Sequence, residues 1–333
     1  MNFLLYPLSA VYDAVTSIRN RKYDTKSVRP VRFDLKVISV GNLSVGGTGK
    51  TPFVEFLIER IQNSREVGVL SRGYGRKTSG PIKADENATA KTIGDEPMQY
   101  HTKYNKIEVV VSEQRVFGVP FFEKAEVVIL DDAYQHRGIH RDLNIMLSDF
   151  NKPFFKDDVL PLGRLRENRK GAKRADIIIF TKVLGDYSPE VFDSYISKTK
   201  LYSKDDCKIL FSEIGYGQPY NLIDSSKVSM PNDLYLMTSI ANPTPLVGYL
   251  ESQGIKIVNH YKFRDHYSFT EKTISRIENE IGLNKTVVIT EKDAAKLKPL
   301  ISKSSLTFLV VPIVTKIMFD QEEQLQDIIN GII

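Results

Sequence analysis

SVGGTGKT, residues Ser44–Thr51, decides how the rest of the chain is read. It follows an apolar, β-branched run, LKVISV at Leu35–Val40, which closes on Gly41-Asn42. It precedes a stretch in which Val54, Leu57, Ile58 and Ile61 recur on one helical face. Strand, glycine-rich turn and helix in that order make a phosphate cradle. Glycines let backbone N–H groups close round phosphate oxygens, and the helix N-terminus adds partial positive charge. Lys50 would reach the β- and γ-phosphates, the Thr51 hydroxyl would ligate Mg²⁺, and Pro52 fits the first helical turn, where its missing N–H is harmless. The strict motif opens with Gly, and Ser44 stands there instead. The alternative is a turn without a ligand. Gly46, Gly47, Gly49, Lys50 and Thr51 in this context favour a nucleotide, with Val45 and Thr48 completing the loop.

Outward from the loop, short apolar runs at Val67–Leu70, Ile107–Val111, Val127–Leu130, Leu143–Leu147 and Ile177–Thr181 alternate with helical or loop segments, as in a mostly parallel α/β sheet. Val127–Leu130 ends in Asp131-Asp132, where an acidic residue beside the phosphate loop can hold Mg²⁺ directly or through water. Acids after a buried strand also serve as plain turn formers. Past about residue 200 the texture changes to SKDDCK and GYGQPYN, which read as a hinge. Beyond it, Asp233–Thr238, Ile255–Val258, Thr286–Thr290 and Thr307–Val311 read as strands of a smaller α/β unit. The expected division is an N-terminal segment 1–34, a P-loop core 35–205, a hinge 206–220 and a C-terminal α/β domain 221–333. Two domains suit 333 residues, since single domains run to about 150.

Composition narrows the class. Apolar residues make up 41% and charged residues 26%, which excludes a disordered polyelectrolyte. A single cysteine, Cys207, excludes a disulfide framework or thiolate metal cluster and fits a reducing compartment. No run of about 18 apolar residues offers a spanning helix, and no basic region precedes the first apolar stretch as in a secretory signal. The net charge is +5. All of that excess lies in residues 19–36, where Arg19, Arg21, Lys22, Lys26, Arg29, Arg32 and Lys36 face only Asp24 and Asp34. A nucleic-acid binder spreads its charge over a face; here it trails Phe3, Leu4, Leu5, Leu8, Val11, Tyr12, Val15 and Ile18. An apolar helix followed by basic residues suits an anionic bilayer surface. The alternative is a helix docked by its apolar face on the protein's own core.

Taken together, these stretches resemble the tetraacyldisaccharide 4'-kinase family, the lipid A disaccharide kinases of Gram-negative bacteria. GNLSVGGTGKTP at 41–52, LSRGYGR at 70–76, GDEP at 94–97, DDAYQHR at 131–137 and LPLGRLRE at 160–167 carry the likeness. RADIIIFTK at 174–182, ANP at 241–243, FRDHYSF at 263–269 and TEKDAAKL at 290–297 continue it in family order. Ser44 is ordinary within that family. Ala133 departs from its usual DDGxQH, and Ser239 stands where Gly is common.

The resemblance implies a P-loop α/β core joined by a hinge to a smaller α/β domain. It implies transfer of the γ-phosphate of ATP, with Mg²⁺, to the 4'-hydroxyl of a tetraacylated disaccharide 1-phosphate. The setting would be peripheral, on the cytoplasmic side of the inner membrane, with no nucleic acid and no obligate protein partner. A sugar hydroxyl needs a proton acceptor, and Asp95 of GDEP matches the family's base, with His266 as its partner from the second domain. Taken alone, Asp95 reads as a helix N-cap and His266 as a structural histidine. Arg166 would neutralise transition-state charge, and Glu167 would join Thr51, Asp131 and Asp132 around the metal; a solvated basic loop is the alternative. Arg72 and Tyr74 would meet the acceptor, Gln135 and His136 would orient the acceptor or the metal shell, and Lys292 and Asp293 of TEKD read as a helix cap without a catalytic role. Two other functions fit the phosphate loop: an NTPase switch for a protein partner, and a kinase for a water-soluble acceptor.

Overall fold

The computed structural model describes residues 5–265 and 267–333. The strands of the first half are β1 (Lys36–Asn42), β2 (Val67–Ser71), β3 (Ile82–Lys83), β4 (Glu108–Val111), β5 (Val127–Asp131), β6 (Leu143–Asp149), β7 (Ile177–Thr181) and β8 (Lys208–Tyr216). Those of the second half are β9 (Tyr220–Asn221), β10 (Asp233–Thr238), β11 (Lys256–Lys262), β12 (Thr286–Thr290), β13 (Thr307–Val311) and β14 (Ile313–Ile317). The helices are α1 (Leu5–Asp24), α2 (Lys50–Ile61), α3 (Ala90–Ile93), α4 (Asp95–Lys103) and α5 (Arg115–Gly118). They continue with α6 (Pro189–Lys200), α7 (Thr244–Ser252), α8 (Glu271–Ile281), α9 (Glu291–Leu297) and α10 (Glu322–Asn330).

Among the described residues the strands form two sheets. A nine-stranded sheet runs β14-β8-β7-β6-β1-β5-β2-β4-β3, parallel except for β3 and β14 at its edges. A five-stranded sheet runs β11-β10-β12-β13-β9, again parallel apart from its edge strand β9. The central strands of the large sheet are buried on both faces, as their unbroken Val/Ile/Leu runs require. Phosphate-binding sites on such sheets lie beyond the carboxyl ends of the strands, and here the loops after β1 and β5 share that end.

Two expectations are corrected. Lys208–Tyr216, read as part of a hinge, is strand β8 of the large sheet, paired with β7 on one side and β14 on the other. The final residues do not stay with the second unit: β14 and α10 return to the large sheet. The small sheet is therefore an insertion between β8 and β14, and the chain crosses between lobes twice. The crossings touch where Gly217 N–H donates to Pro312 O at 2.9 Å. The turn-rich composition of GYGQPYN belongs to one crossing, while the polar residues of β8 reflect its half-exposed end.

Helix α2 shows what that return does. Periodicity assigned one buried face, yet Phe53 through Ile58 and Ile61 are all buried. Leu325 and Ile329 of α10 and Ile317 of β14 close the side that would otherwise meet water. Each such fully buried side chain contributes about 1.5–3 kcal/mol of transfer free energy. Glu55 is enclosed with them.

Helix α1 has its faces reversed relative to an ordinary surface helix. Ser9 and Thr16 are its buried residues, and the Ser9 hydroxyl donates to Val159 O at 2.8 Å. Tyr6, Leu8, Val11, Val15 and Ile18 are each 58–64% exposed. The docked-apolar alternative is overturned: polar side chains hold the helix to the protein, and its apolar stripe faces outward. Phe3 and Leu4 lie outside the described residues.

Candidate functional site

The loop after β1 enters α2 through Gly49, whose φ of 77° is left-handed and costs glycine little. Gly46 has φ 102°, and a Cβ on Gly46 or Gly47 would meet nothing within 4 Å, so the rim of the loop is open for close approach to backbone amides. Its base is fixed from behind. Asn42 Nδ2 donates to Thr48 Oγ1 at 2.7 Å, Thr181 Oγ1 donates to Thr48 O at 2.9 Å, and Lys182 Nζ donates to Gly47 O. The 160–167 stretch pairs with its entrance through Val45 N to Arg164 O and Arg166 N to Leu43 O, both 2.7 Å. Ser44 is bridged to Leu165.

Beside it stands the acid pair. Asp131, at the end of β5, is buried and accepts from Ser71 Oγ at 3.1 Å. Burial and the neighbouring Asp132 charge push its carboxyl up to about 6. Asp132 has φ 46° and turns the other way, toward cations: Arg166 Nη1 lies 3.0 and 3.1 Å from its two oxygens and Lys50 Nζ 3.6 Å from one. Burial pushes that carboxyl up, but Lys50 and Arg166 outweigh it and hold it below the usual range. The unusual backbone falls on Asp132 rather than Ala133, whose φ is not left-handed and whose methyl packs in the core, so alanine fits there without strain. Gly41 explains the close fit of strand and acidic loop: a Cβ there would lie 2.6 Å from Tyr134 N.

Glu167 is 1% exposed and fully engaged. It accepts from Arg174 Nη2 at 2.7 Å, from Gln135 Nε2 at 3.1 Å and from Asn20 Nδ2 of α1. Gln135 also donates to Asn42 O at 2.8 Å, which ties the acidic loop to β1. His136 is half-buried, and burial together with Arg115, Arg141 and Arg72 pushes its imidazole down to about 4, so it is neutral at physiological pH. The basic loop is not merely solvated: Arg164, Arg169 and Arg174 pair with Asp157, Asp158 and Glu167 at 2.7–2.8 Å. Arg72 and Tyr74 are exposed beyond β2, between Ser71 and the left-handed Gly73 and Gly75.

Asp95 opens α4, but the N-cap is Gly94 and no side chain caps the helix, so the capping alternative is overturned. Its Oδ2 lies 3.2 Å from Lys296 Nζ of α9. His266 lies outside the described residues. Thr51 follows Lys50 in the first turn of α2, half-buried. Among the described residues no three His, Cys, Asp or Glu side chains converge on a metal position. Asp132 is turned to Lys50 and Arg166, and Glu167 to Arg174, Gln135 and Asn20. Magnesium does not require such a cluster, since it takes one or two carboxylates beside substrate phosphates. The buried, repelled carboxyl of Asp131 fits such an ion.

Residues missed in the sequence join this centre. Arg115 is buried and donates to Asp131 O at 3.2 Å, and burial pushes its guanidinium down to about 10. Lys182, Lys296 and Asn20 are the others. A strand end such as IFTK at 179–182, or the tail of a helix, carries no local signal of such contacts.

The comparisons with known proteins agree with one another. The sequence profile of the family described as tetraacyldisaccharide-1-P 4'-kinase (LpxK) matches residues 1–333. A tetraacyldisaccharide 4'-kinase of Cytophaga hutchinsonii is 39% identical, with 100% of this chain and 96% of that protein covered. One from Bacteroides thetaiotaomicron is 37% identical over 98% of this chain and 92% of its own. Among solved structures, LpxK from Aquifex aeolicus in complex with ATP superposes with a TM-score of 0.77 at 28% identity, covering 98% of this chain and 97% of that one.

Proposed function

The chain belongs to the tetraacyldisaccharide-1-P 4'-kinase family, and from that premise we propose that it transfers the γ-phosphate of ATP to the 4'-hydroxyl of a tetraacyldisaccharide 1-phosphate, giving the bis-phosphorylated lipid A precursor. The observation that carries this reading is the open glycine loop with Lys50 and Arg166 gathered over the acid pair. Cations held there face the place where charge develops on a transferring phosphoryl group.

Residues of the loop from Ser44 to Thr51 hold the triphosphate, with Lys50 shared between the phosphates and Asp132. Thr51 and Asp131 would hold Mg²⁺, which would supply positive charge to the phosphate oxygens, while Asp132 and Glu167 stay committed to Lys50, Arg166 and Arg174 and keep those cations in place. Arg166, braced between Asp132 and Gln135, supplies transition-state charge. Asp95 accepts the proton of the sugar hydroxyl, with His266 as its partner. Arg72, Tyr74, Gln135 and the neutral His136 line the acceptor's approach. The outward stripe of α1 and the basic residues after it lie against the cytoplasmic leaflet of the inner membrane, where the acylated acceptor is presented. No helix among the described residues is long and apolar enough to cross a membrane, so the attachment proposed is peripheral.

The test is transfer of γ-labelled phosphate from Mg·ATP in mixed micelles with and without the disaccharide 1-phosphate. Labelled bis-phosphorylated lipid is expected only with the acceptor. ATP turnover indifferent to the lipid, or stimulated only by an added protein, would overturn the kinase reading in favour of a switch.

A further inference from the structure

TEKD is the motif to which the sequence assigned nothing beyond a cap. Thr290 does cap α9, accepting from Asp293 N–H, but Asp293 is wholly buried and does more. Its oxygens accept from Thr290 Oγ1 at 2.8 Å, from Ser239 N at 3.1 Å and from Ser239 Oγ. Ser239, at the position where relatives were expected to carry glycine, is thereby pinned. Its hydroxyl and Tyr267 O each lie 3.4 Å from Lys296 Nζ. The second lobe has thus built a seat for one ammonium group, 9% exposed, and that ammonium reaches across to Asp95 Oδ2 at 3.2 Å.

The two helices meet in opposed sense. Lys296 in the last turn of α9 pairs with Asp95 in the first turn of α4, while Glu291 in the first turn of α9 pairs with Lys103 in the last turn of α4 at 2.7 Å. Each charge also lies at the helix end that favours it. Lys103 is additionally 2.8 Å from Glu55 of α2, the helix that begins at Lys50. One helix of the core, carrying Asp95, is therefore gripped at both ends by one helix of the inserted lobe.

We propose that Lys296 is a positioning residue for the phosphoryl transfer: from the second lobe it fastens one oxygen of Asp95, so the carboxylate takes its working orientation only while α9 is docked on α4. This rests on the reading of Asp95 as a proton acceptor. A carboxylate rotating about its Cβ–Cγ bond misplaces its acceptor oxygen by more than an ångström, a displacement of the size that costs about a hundredfold in rate.

The experiment measures kcat and the KM for ATP of the full chain in mixed micelles for Lys296→Met, Lys296→Arg, Asp95→Asn and the Lys296→Met/Asp95→Asn pair, with a thermal melt of each. Lys296→Met is expected to lower kcat by about ten- to a hundredfold with the KM for ATP within about twofold. Lys296→Arg is expected to recover most of the loss, and the double variant to be no slower than Asp95→Asn, as for residues acting through one another. Should Lys296→Met melt below the assay temperature, Lys296→Gln takes its place and must show the same loss. Near-normal turnover of Lys296→Met beside a disabled Asp95→Asn overturns the inference alone. A double variant slower than Asp95→Asn by the full Lys296→Met factor also overturns it. An active Asp95→Asn overturns the reading of Asp95, and the inference with it.

Discussion

Glu55→Gln isolates the buried charge cluster between the lobes. Glu55 is enclosed in α2 with Gln99 Nε2 and Lys103 Nζ each at 2.8 Å, and Lys103 is shared with Glu291. Two carboxylates and one ammonium in a dry site leave one negative charge uncompensated. Burial first, and the Glu291 charge second, push the Glu55 carboxyl from 4.5 to about 7. Below pH 4.5 the group is protonated folded or unfolded, so it adds no pH dependence. Between 4.5 and 7 the unfolded chain releases the proton and the folded chain keeps it, so stability falls as pH rises; above 7 the loss is complete. At about 1.4 kcal/mol per pH unit the loss reaches about 3 kcal/mol. Glutamine keeps the bond to Gln99 in a neutral group and leaves Lys103 to Glu291 alone. Wild-type chain should therefore lose several degrees of melting temperature, about 3–6 °C, between pH 4.5 and 7 relative to Glu55→Gln. Asp131 titrates with the same sign in both proteins and cancels in the difference. Parallel melting curves for the two proteins across that window would refute the argument.

Lys50→Ala should abolish phosphoryl transfer while leaving the fold intact if, as proposed, its ammonium is the loop's charge toward the phosphates; retained transfer in the labelled-ATP assay would contradict the cradle. Gly46→Ala should weaken ATP binding by about tenfold through its φ of 102° rather than through a clash, a loss that calorimetric titration would read. Asp95→Ala should keep ATP affinity and cut turnover by at least about a hundredfold, read as kcat with saturating acceptor. Replacing the exposed Leu8, Val11 and Val15 together by serine should weaken flotation with anionic vesicles by at least about a hundredfold, since each buried aliphatic side chain is worth about 1.5–3 kcal/mol; unchanged flotation would remove α1 as the membrane contact.

What the sequence made legible follows from how local each signal is. The strand–loop–helix at 35–61 and the acid pair after β5 declare themselves within a few residues, because backbone geometry and chemistry there are set by neighbours in sequence. Strand β14 was not assignable: its five residues carry no mark of the sheet they join, and β8, their partner, lies about a hundred residues earlier. The period of α1 gave the position of its apolar stripe but not what would cover it, since that depends on hydrogen bonds such as Ser9 to Val159. Lys296 and Asn20 were invisible for the same reason. Each meets its partner across more than a hundred residues of chain, where spacing carries no information.

The junction of α1 with Glu167 bears on how this protein should be prepared. Asn20 donates to Glu167 and Asn168 Nδ2 donates to Asp13, so two bonds tie the apolar N-terminal helix to the loop that carries Arg166, and a third, from Arg137 to Asn20 O, ties it to the acidic loop. Trimming the chain to start after Asp24 would strip the buried Glu167 carboxylate of one donor and loosen the loop that carries Arg166. Rates measured on such a shortened protein would report a loop altered in its anchoring, and a solubilising redesign should repaint the outer stripe while sparing Asp13 and Asn20.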